Sequence, residues 1–312
     1  MATMKAVCIE SFGGPEALKL RELEVPQPST DEVLIRVRAA SVNPVDYKIR
    51  SGKYPPVGAA QLPKILGRDV AGTVVACGPE VTQFKTGDDV YAMLDGSHGG
   101  YAEYVVVSAE LCAPKPHTLD HAQAAAVPLA ALTAWQGLFD HGRLNPGQRV
   151  LIHGGAGGVG HFAIQLAKAR GAIVATTVSE RDKAFVRAHG ADQAIDYENE
   201  RFEDEVDEVD LVLDLIAGDT QERSWQILKD GGTLISTLAK PSERAAAAHH
   251  ARAMNYVAQP NAIELEAIGR LIDDGKVQPH IERTFPLQQA AAAQEQLERA
   301  HPQGKIVLEM SA

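Results

Sequence analysis

The chain has 312 residues, and a length above the usual size of one hydrophobic core predicts two domains. Its 41 acidic residues exceed its 30 lysines and arginines, which argues against a general binder of nucleic acid or anionic membranes. Cys8, Cys77 and Cys112 lie far apart without a CxxC pair, so neither a disulfide framework nor a cysteine zinc site is expected. The N-terminus lacks a signal-peptide pattern, and no apolar run reaches the roughly 20 residues that span a bilayer, so we expect a cytoplasmic protein.

The first third of the chain is rich in short Val- and Ile-containing runs separated by Gly and Pro, a pattern that predicts β-strands. These runs are residues 4–10, 33–40, 71–77 and 101–107. An Ala- and Leu-rich stretch then predicts a helix over residues 121–139, which ends before the turn signal Asn145-Pro146-Gly147.

From Arg149 onward, apolar strands alternate with helical stretches, which predicts βαβ units and a parallel sheet. The predicted strands are residues 150–153, 173–178, 209–216 and 233–238, with 255–259 as a candidate for the last. The predicted helices run from 160 to about 170, over 181–189 and over 220–229. Beyond these, residues 262–274 and 287–301 predict helices, and 304–308 predict a strand that fits either domain.

Residues 154–160, Gly-Gly-Ala-Gly-Gly-Val-Gly, follow an apolar strand and open a helix, the context that makes a GxGxxG match informative. Gly155 permits the tight turn, Gly157 lets a pyrophosphate approach the backbone, and Gly160 lets the helix pack closely on the strand. The backbone N–H groups of Gly158 and Val159 belong to the same anion site at the helix start. The alternative is a purely structural turn, but five glycines in seven residues favour dinucleotide binding.

The end of the second strand bears on which dinucleotide is bound. NAD-binding versions usually carry an acid about 20 residues after the motif, but Ser179 stands there in this chain. Ser179, Arg181 and Lys183 offer a hydroxyl and two cations to a 2′-phosphate, which favours NADPH. The alternatives remain a solvated helix start and a register one residue later, in which Glu180 would favour NADH.

With the turn and the N-terminal blocks taken together, the chain resembles the medium-chain dehydrogenase/reductase superfamily, in its zinc-free quinone oxidoreductase and enone reductase branch. Six pieces in order carry the resemblance: residues 39–48, 67–72, 85–90, 99–104, the glycine turn with 163–168, and 304–307. The resemblance implies an α/β fold with a GroES-like β-domain over residues 1–127 and a Rossmann doubly wound domain over 128–260. It also implies that residues 261–312 return to the first domain, that a cleft separates the domains, and that the protein is a homodimer.

The resemblance also bears on metal binding, because zinc-dependent relatives place three ligands where Asn43, Arg68 and about Leu129 stand here. None of these side chains is a normal zinc ligand, so we expect no zinc. Without a Lewis acid, alcohol oxidation is harder than reduction of an activated C=C or a quinone.

The resemblance places Lys48 near the nicotinamide ribose and the substrate carbonyl, where its ammonium would stabilise enolate charge; the alternative is a surface lysine. Asn43 is a candidate donor to the carbonyl or else a turn residue before Pro44. Tyr54 is a candidate for the substrate side or for ordinary packing. Asp46 is expected to pair with Arg68 or to orient the loop.

On the cofactor side, Thr133 resembles the family threonine beside the nicotinamide, and Tyr197 resembles a tyrosine near the adenine ribose phosphate. Ile216, Thr237 and Leu238 end strands at the carboxyl edge, where doubly wound sheets bind ligands. For each of these residues the alternative is packing at a strand end.

These observations predict an NADPH-dependent reductase of quinones or α,β-unsaturated carbonyls, a small-molecule enzyme without nucleic-acid or membrane partners. The alternative is a non-catalytic NADPH-binding sensor or interaction protein with the same fold. Polar Asn43, Lys48 and Tyr54 favour catalysis. A zinc alcohol dehydrogenase conflicts with the missing ligands.

Overall fold

The computed structural model describes residues 2–310, and residues up to Leu129 form mainly antiparallel strands. In the central strand over residues 32–42 the apolar side chains are buried on both faces, and only Glu32, Arg36 and Arg38 are partly exposed. The elements are β1 (Thr3–Ile9), β2 (Leu18–Glu24), β3 (Glu32–Val42), α1 (Pro44–Arg50), β4 (Lys64–Ile65), β5 (Asp69–Cys77), β6 (Asp89–Met93), β7 (Tyr104–Ser108), β8 (Cys112–Pro114) and α2 (His121–Ala125).

The middle of the chain alternates short buried strands with helices. Its elements are α3 (Pro128–Trp135), β9 (Arg149–His153), α4 (Gly160–Ala169), β10 (Ile173–Val178), α5 (Lys183–Ala188), β11 (Gln193–Asp196), α6 (Phe202–Glu205), β12 (Val209–Asp214), α7 (Asp219–Arg223), β13 (Leu228–Ser236), α8 (Glu243–Ala248) and β14 (Arg252–Asn255). The last part contains α9 (Ala262–Asp273), β15 (Ile281–Pro286), α10 (Ala290–Ala300) and β16 (Lys305–Glu309).

The first domain comprises the residues up to Leu129, Pro260–Asp273 and the residues from Pro279 onward. Its larger sheet has the order β15-β16-β3-β5-β6-β8, with β7 also paired to β3, and its smaller sheet has the order β2-β1-β4. The terminal strand β16 pairs antiparallel with β3. The prediction that the chain returns to its first domain is therefore confirmed.

The second domain comprises Ala130–Gln259 and Asp274–Gln278. Its six strands are all parallel, in the order β11-β10-β9-β12-β13-β14. Counted from β9, this is the order 3-2-1-4-5-6 of the doubly wound dinucleotide-binding fold. The predicted α/β fold class is confirmed. The predicted borders after residues 127 and 260 lie within two residues of those found, except that 274–278 belong to the second domain.

Three predicted elements differ from the structure. The predicted helix over 121–139 is broken before Pro128, whose ring cannot supply an N–H to a continuous helix, and it continues past α3 as a π-helical turn, Gln136–His141. The predicted helix over 220–229 ends at Ile227 in a 3₁₀ turn, because Leu228 already pairs with Val209 in the sheet. The last strand is Arg252–Asn255 and not 255–259; it lies at an edge, and with only four residues of mixed polarity it shows no strand pattern in the sequence.

Within residues 2–310, no helix has both the length and the apolar composition that crossing a bilayer requires.

Candidate functional site

The glycine turn joins β9 to α4 at the carboxyl edge of the parallel sheet. β9 lies between β10 and β12, where the strand order reverses, and open α/β sheets bind ligands at this point. The backbone of Gly154 has a φ of +80°, so the left-handed residue of the turn precedes the predicted Gly155. The turn is thus built as a ligand-facing connection at the expected edge.

Two of the three motif glycines are required by close packing. A Cβ on Gly155 would lie 2.1 Å from Oγ1 of Thr176, and a Cβ on Gly160 would lie 2.2 Å from the carbonyl oxygen of Gly154. A Cβ on Gly157 would meet nothing nearer than 3.5 Å. Gly155 and Gly160 therefore hold the helix against the sheet, whereas Gly157 leaves open space beside the turn.

The turn also exposes backbone donors. The N–H groups of Gly154 and Gly155 each donate to the carbonyl oxygen of Thr177 over 3.2 Å. In residues 2–310, the N–H groups of Gly158 and Val159 have no hydrogen-bond acceptor, and both residues are partly exposed. Unpaired N–H groups at the start of a helix attract a negative group, so this surface suits a pyrophosphate.

A buried histidine lies directly under the turn. His153 ends β9, is fully buried, and contacts Oγ1 of Thr177 through Nδ1 at 3.0 Å and Oγ of Ser224 through Nε2 at 2.9 Å. Burial lowers the pKa of its imidazole to about 4, although the nearby negative charge of Asp214 acts to raise this pKa. The ring is therefore neutral at pH 7 and ties the turn's anchor, Thr177, to the neighbouring helical turn.

The buried carboxylate of Asp214 organises the next two strand ends. Its oxygens accept hydrogen bonds from the N–H of Ile216 at 3.0 Å, the amide of Gln221 at 2.8 Å and the hydroxyl of Ser236 at 2.9 Å. The main-chain carbonyl oxygen of Asp214 accepts a hydrogen bond from the N–H of Thr237 at 3.3 Å. These bonds fix two of the three predicted edge residues.

The predicted edge residues present apolar surface. Ile216 and Leu238 are each 51% exposed, and Ile216 lies so close to the turn that a Cβ on Gly154 would be 3.0 Å from its Cδ1. Large apolar side chains exposed to water at a ligand-binding edge are stabilised when a ligand covers them, so this surface suits contact with a flat ring.

Ser179, Arg181 and Lys183, the residues predicted to bind a 2′-phosphate, follow β10. Each of them contacts a carboxylate of this chain. The hydroxyl of Ser179 donates to Asp182 at 2.6 Å, and the Arg181 side chain is 65% exposed with Nε 3.4 Å from the same carboxylate. The ammonium of Lys183 lies 2.9 Å from Glu180 and 3.2 Å from Glu200. Arg181 is thus the more accessible of the two predicted cations.

Tyr197 and Thr133 complete the predicted cofactor residues. The N–H of Tyr197 donates to the carbonyl oxygen of Val178 at 3.1 Å, so its 61% exposed ring stands beside the strand that precedes Ser179. Thr133 is buried on α3, and its carbonyl oxygen accepts a hydrogen bond from the hydroxyl of Tyr256. Tyr256 in turn follows β14, and no sequence signal marked it as a support for this helix.

In the first domain, a buried aspartate anchors the helix that carries Lys48. Asp46 accepts hydrogen bonds from the N–H of Asn43 at 2.8 Å, the N–H of Gly67 at 3.2 Å and the hydroxyl of Tyr101 at 2.9 Å. Burial raises the pKa of this carboxyl to about 6. Of the two roles expected for Asp46, orienting the loop is confirmed, and pairing with Arg68 is wrong.

Asn43 lies at the centre of a buried polar cluster. Its Nδ2 donates to Asp69 at 2.7 Å, and its Oδ1 accepts from the ammonium of Lys305 at 2.5 Å. Asp69 also accepts from the hydroxyl of Ser41 at 2.5 Å and from the N–H of Leu129 at 2.7 Å, and Lys305 lies 3.9 Å from it. With 1% of its surface exposed, the Asn43 amide holds this cluster together.

Lys48 and Tyr54 are the predicted catalytic residues that remain accessible. Both are partly exposed, and in the described part of the chain the Lys48 ammonium has no hydrogen-bond acceptor or ion-pair partner. Tyr54 packs with one side against the core of the first domain. A cation without a partner on a helix whose start is anchored suits stabilisation of a developing negative charge.

Sequence reasoning did not assign roles to Asp69, Lys305, His153 and Asp214. Asp69 and Lys305 stand in the segments that carry the family resemblance, but only the pairing of β3 with both β5 and β16 brings them together. His153 and Asp214 each follow a run of three apolar residues at the end of a strand, and this polar ending was the signal available. Among residues 2–310 there is no group of three or more His, Cys, Asp or Glu side chains that could hold a metal ion.

The sequence matches two protein families. Residues 29–117 match the family described as alcohol dehydrogenase GroES-like domain, and residues 189–308 match the family described as zinc-binding dehydrogenase.

Curated relatives match nearly the whole chain. The NADPH-dependent alkenal/one oxidoreductase of Arabidopsis thaliana chloroplasts is 39% identical, covering 98% of this chain and 79% of that protein. The 2-methylene-furan-3-one reductase of Solanum lycopersicum is 38% identical over the same shares. The solved structure of the quinone oxidoreductase from Coxiella burnetii is 39% identical, with a TM-score of 0.92 over 99% of this chain and 100% of that chain.

The buried imidazole of His153 predicts a pH-dependent stability. In the unfolded chain it takes up a proton near its ordinary pKa of 6.5, whereas in the folded protein it resists protonation down to about 4. Its contribution is therefore complete above pH 6.5 and is lost as the pH falls toward 4. Between about pH 7.5 and pH 5 we expect it to remove about 1–2 kcal/mol from the free energy of unfolding, measured by urea titration.

The matched comparison uses two histidine variants. In His153→Gln this part of the pH dependence should disappear, whereas His250→Gln, which alters an exposed histidine beside Asp230, should keep it. An unchanged pH dependence in His153→Gln would show that this imidazole titrates alike in the folded and unfolded chains.

The buried cluster predicts energetic coupling between Lys305 and Asp69. Lys305→Met and Asp69→Asn each leave one buried charge without its partner, so each should cost about 3–5 kcal/mol of unfolding free energy. The double variant removes both charges and should lose clearly less than the sum of the two. Urea unfolding of the four proteins measures the coupling, and strict additivity would contradict the pairing.

Proposed function

The chain belongs to the medium-chain dehydrogenase/reductase superfamily, in the branch of quinone oxidoreductases and enone reductases, and from this premise we propose that it is an NADPH-dependent reductase of α,β-unsaturated carbonyls or quinones. The observation that carries the proposal is the glycine turn, with two glycines required by packing and a third beside open space. The names of the relatives supply the chemistry, since they describe reductases of alkenals, enones and quinones.

The second domain fits a dinucleotide by its shape and its donors. The N–H groups of Gly158 and Val159 would receive the pyrophosphate, and the space beside Gly157 admits it. The exposed side chains of Ile216 and Leu238 would pack against the bound molecule's rings. Thr133 and Thr237 would complete the nicotinamide side.

Arg181, with Ser179, supports NADPH over NADH. The guanidinium of Arg181 is largely exposed beside the end of β10, and the exposed ring of Tyr197 stands at the same strand end. Lys183 contributes positive charge that Glu180 and Glu200 partly neutralise. A 2′-phosphate would therefore be held mainly by Arg181, with Lys183 in a supporting role.

When bound, the nicotinamide supplies a hydride to the β-carbon of the enone. The ammonium of Lys48 would stabilise the negative charge that develops on the carbonyl oxygen. Tyr54 would lie along the substrate, and Asn43 would position α1 from inside the cluster instead of touching the carbonyl. A proton from solvent at the α-carbon completes the reduction of the C=C to a single bond.

We also propose that the reaction needs no zinc. Asn43 and Leu129 donate to Asp69 through nitrogen atoms, and the ammonium of Lys305 already supplies the local positive charge. A divalent cation would be repelled there and would find no thiolate or imidazole. Elemental analysis of the active protein tests this, and stoichiometric zinc would contradict it.

The proposed homodimer rests on the edge strand β14. Among the described strands it pairs only with β13, and Met254 and Val257 nearby are 42% and 65% exposed. An open edge with apolar side chains favours pairing with a second copy. Val257→Asp should shift the sedimentation coefficient toward a monomer, and a wild-type monomer would contradict the proposal.

A cytoplasmic location stays a prediction, to be checked by cell fractionation.

Turnover and Lys48 can be tested together. The purified protein should oxidise NADPH in the presence of small enones or quinones, measured by the loss of nicotinamide absorbance. Lys48→Met should lower kcat by about 100-fold, the effect of removing one donor to a developing oxyanion, while NADPH affinity changes little. Lys53→Met removes an exposed lysine nearby and should retain the wild-type rate.

Two results would contradict these statements. Absence of turnover with every enone and quinone, in protein shown to bind NADPH, would contradict the proposed function. An unchanged rate in Lys48→Met would remove Lys48 from the reaction.

The preference for NADPH can be tested at Arg181. Arg181→Gln should lower the ratio of kcat/KM for NADPH to that for NADH by about tenfold, because a charge-assisted bond to the 2′-phosphate is lost. Arg187→Gln, an exposed arginine on α5, serves as the matched control. If Glu180 instead holds the ribose of NADH, Glu180→Gln will raise the same ratio and Arg181→Gln will leave it unchanged.

A further inference from the structure

Two neighbouring cationic side chains of the first domain have main-chain oxygens as their only hydrogen-bond acceptors among residues 2–310. The ammonium of Lys64, in β4, donates to the carbonyl oxygen of Gly96 at 2.6 Å. The Nε of Arg68, in the turn between β4 and β5, donates to the carbonyl oxygen of Leu94 at 2.7 Å. Both acceptors are uncharged main-chain oxygens in the loop that follows β6, and the same loop carries Asp95.

The guanidinium of Arg68 has one edge unused. Its Nε is committed to Leu94, whereas its two terminal nitrogens have no hydrogen-bond acceptor within residues 2–310. The group lies against the backbone of Gly96, where an added Cβ would be 3.7 Å from the guanidinium carbon. A planar guanidinium held in place along one edge presents its terminal N–H groups as a fork, which matches the two oxygens of a carboxylate.

Two positive charges of this region face one nearby carboxylate, that of Asp95. The pKa of Lys64 is lowered, first by burial and second by the positive charge of Arg68, while the negative charge of Asp95 acts in the opposite direction. The two cations are therefore close enough to repel each other, and Asp95 also attracts Arg68. The nearby carboxylate of Asp95 is exposed and accepts hydrogen bonds from the N–H and the hydroxyl of Ser97 at 2.8 and 2.6 Å. No acidic side chain among the described residues lies within 4.0 Å of either cation.

Arg68 is connected to the predicted catalytic helix through the next residue in the chain. Arg68 directly precedes Asp69, and Asp69 holds Asn43 at the start of α1, the helix that carries Lys48. Arg68 and Lys48 therefore lie in the same domain and are linked through the bond between Asp69 and Asn43.

We propose that Arg68 and Lys64 form an anion subsite that binds a carboxylate carried by the enone, so that the preferred substrates are enones with a negatively charged tail. The assignment rests on the proposed enone reduction and adds the substrate class to it. Arg68 supplies the fork and Lys64 supplies a second positive charge, and the bound carboxylate relieves the repulsion between them.

The test compares two substrates that differ only in the charge of the tail. In 6-oxohept-4-enoate and its amide, 6-oxohept-4-enamide, two methylenes separate the tail from the enone, so the intrinsic reactivity is matched. The wild type should favour the acid in kcat/KM by about tenfold or more. Arg68→Gln should abolish this preference, Arg68→Lys should restore part of it, and Lys64→Gln should reduce it.

A matched control and a binding measurement complete the design. Arg38→Gln removes another partly exposed arginine of the same domain and should keep the preference. Titration calorimetry with saturated 6-oxoheptanoate and its amide measures tail binding without turnover, and thermal melting shows that each variant is folded. Acetate distinguishes a substrate-borne carboxylate from a free anion, because acetate should bind much more weakly than 6-oxoheptanoate.

The outcomes separate the subsite from the proposed function. Reduction of the amide with no preference for the acid would overturn the subsite and leave enone reduction in place. Failure to reduce any enone or quinone would overturn the proposed function, and calorimetry would then decide on the subsite alone. Three calorimetric results would each overturn the subsite. They are equal binding of the acid and the amide, binding of the acid that Arg68→Gln does not change, and acetate binding as strong as that of 6-oxoheptanoate.

Discussion

The ammonium of Lys305 is the group on which the first domain's arrangement depends. Burying a charge costs several kcal/mol, so the fold must surround it with acceptors and an opposite charge. Asn43 supplies the acceptor and Asp69 the opposite charge; Asn43 directly follows β3 and Asp69 begins β5, which are neighbouring strands in the middle of the larger sheet. The ammonium itself arrives on β16, near the end of the chain. The return of the chain to its first domain is thus a requirement of charge pairing as well as of strand pairing.

The second domain follows the same physical rule with different groups. Neutral His153 and ionisable Asp214 end neighbouring strands, and both are fully buried beneath the connections that would hold the cofactor. Each satisfies its polar atoms with bonds to the next strand or turn. A loop at a sheet edge loses little conformational entropy on binding a ligand if the buried residues that hold the loop are already ordered. Buried polar residues therefore hold the exposed surface of Ile216 and the glycine turn ready for a ligand.

Features that depend on a local sequence pattern could be predicted from the sequence. Contacts between residues that distant strands bring together could not. The glycine turn could be placed because its spacing and its flanking strand and helix are contiguous in the chain. The break at Pro128 was also a local signal, but it was outweighed by the surrounding alanines and leucines. The cluster of Asn43, Asp69 and Lys305 could not be predicted, because its members are far apart in the chain and meet only through the register of β3 with its two neighbours. Similarly, nothing near Lys183 predicted that Glu200 would pair with it.

The buried lysine also bears on the proposal that the reaction needs no zinc. Of the three positions where the family resemblance places zinc ligands, Asn43 and Leu129 both donate to Asp69, and Arg68 directly precedes it. Restoring a thiolate and an imidazole at two of these positions would not by itself recreate a zinc site, because the ammonium of Lys305 would still stand beside them. A metal and this lysine compete for the same negative charge. The residues at the three family ligand positions and the internal cation are therefore parts of one electrostatic arrangement, and it is consistent with the proposed zinc-free reaction, in which Lys48 would stabilise the developing charge.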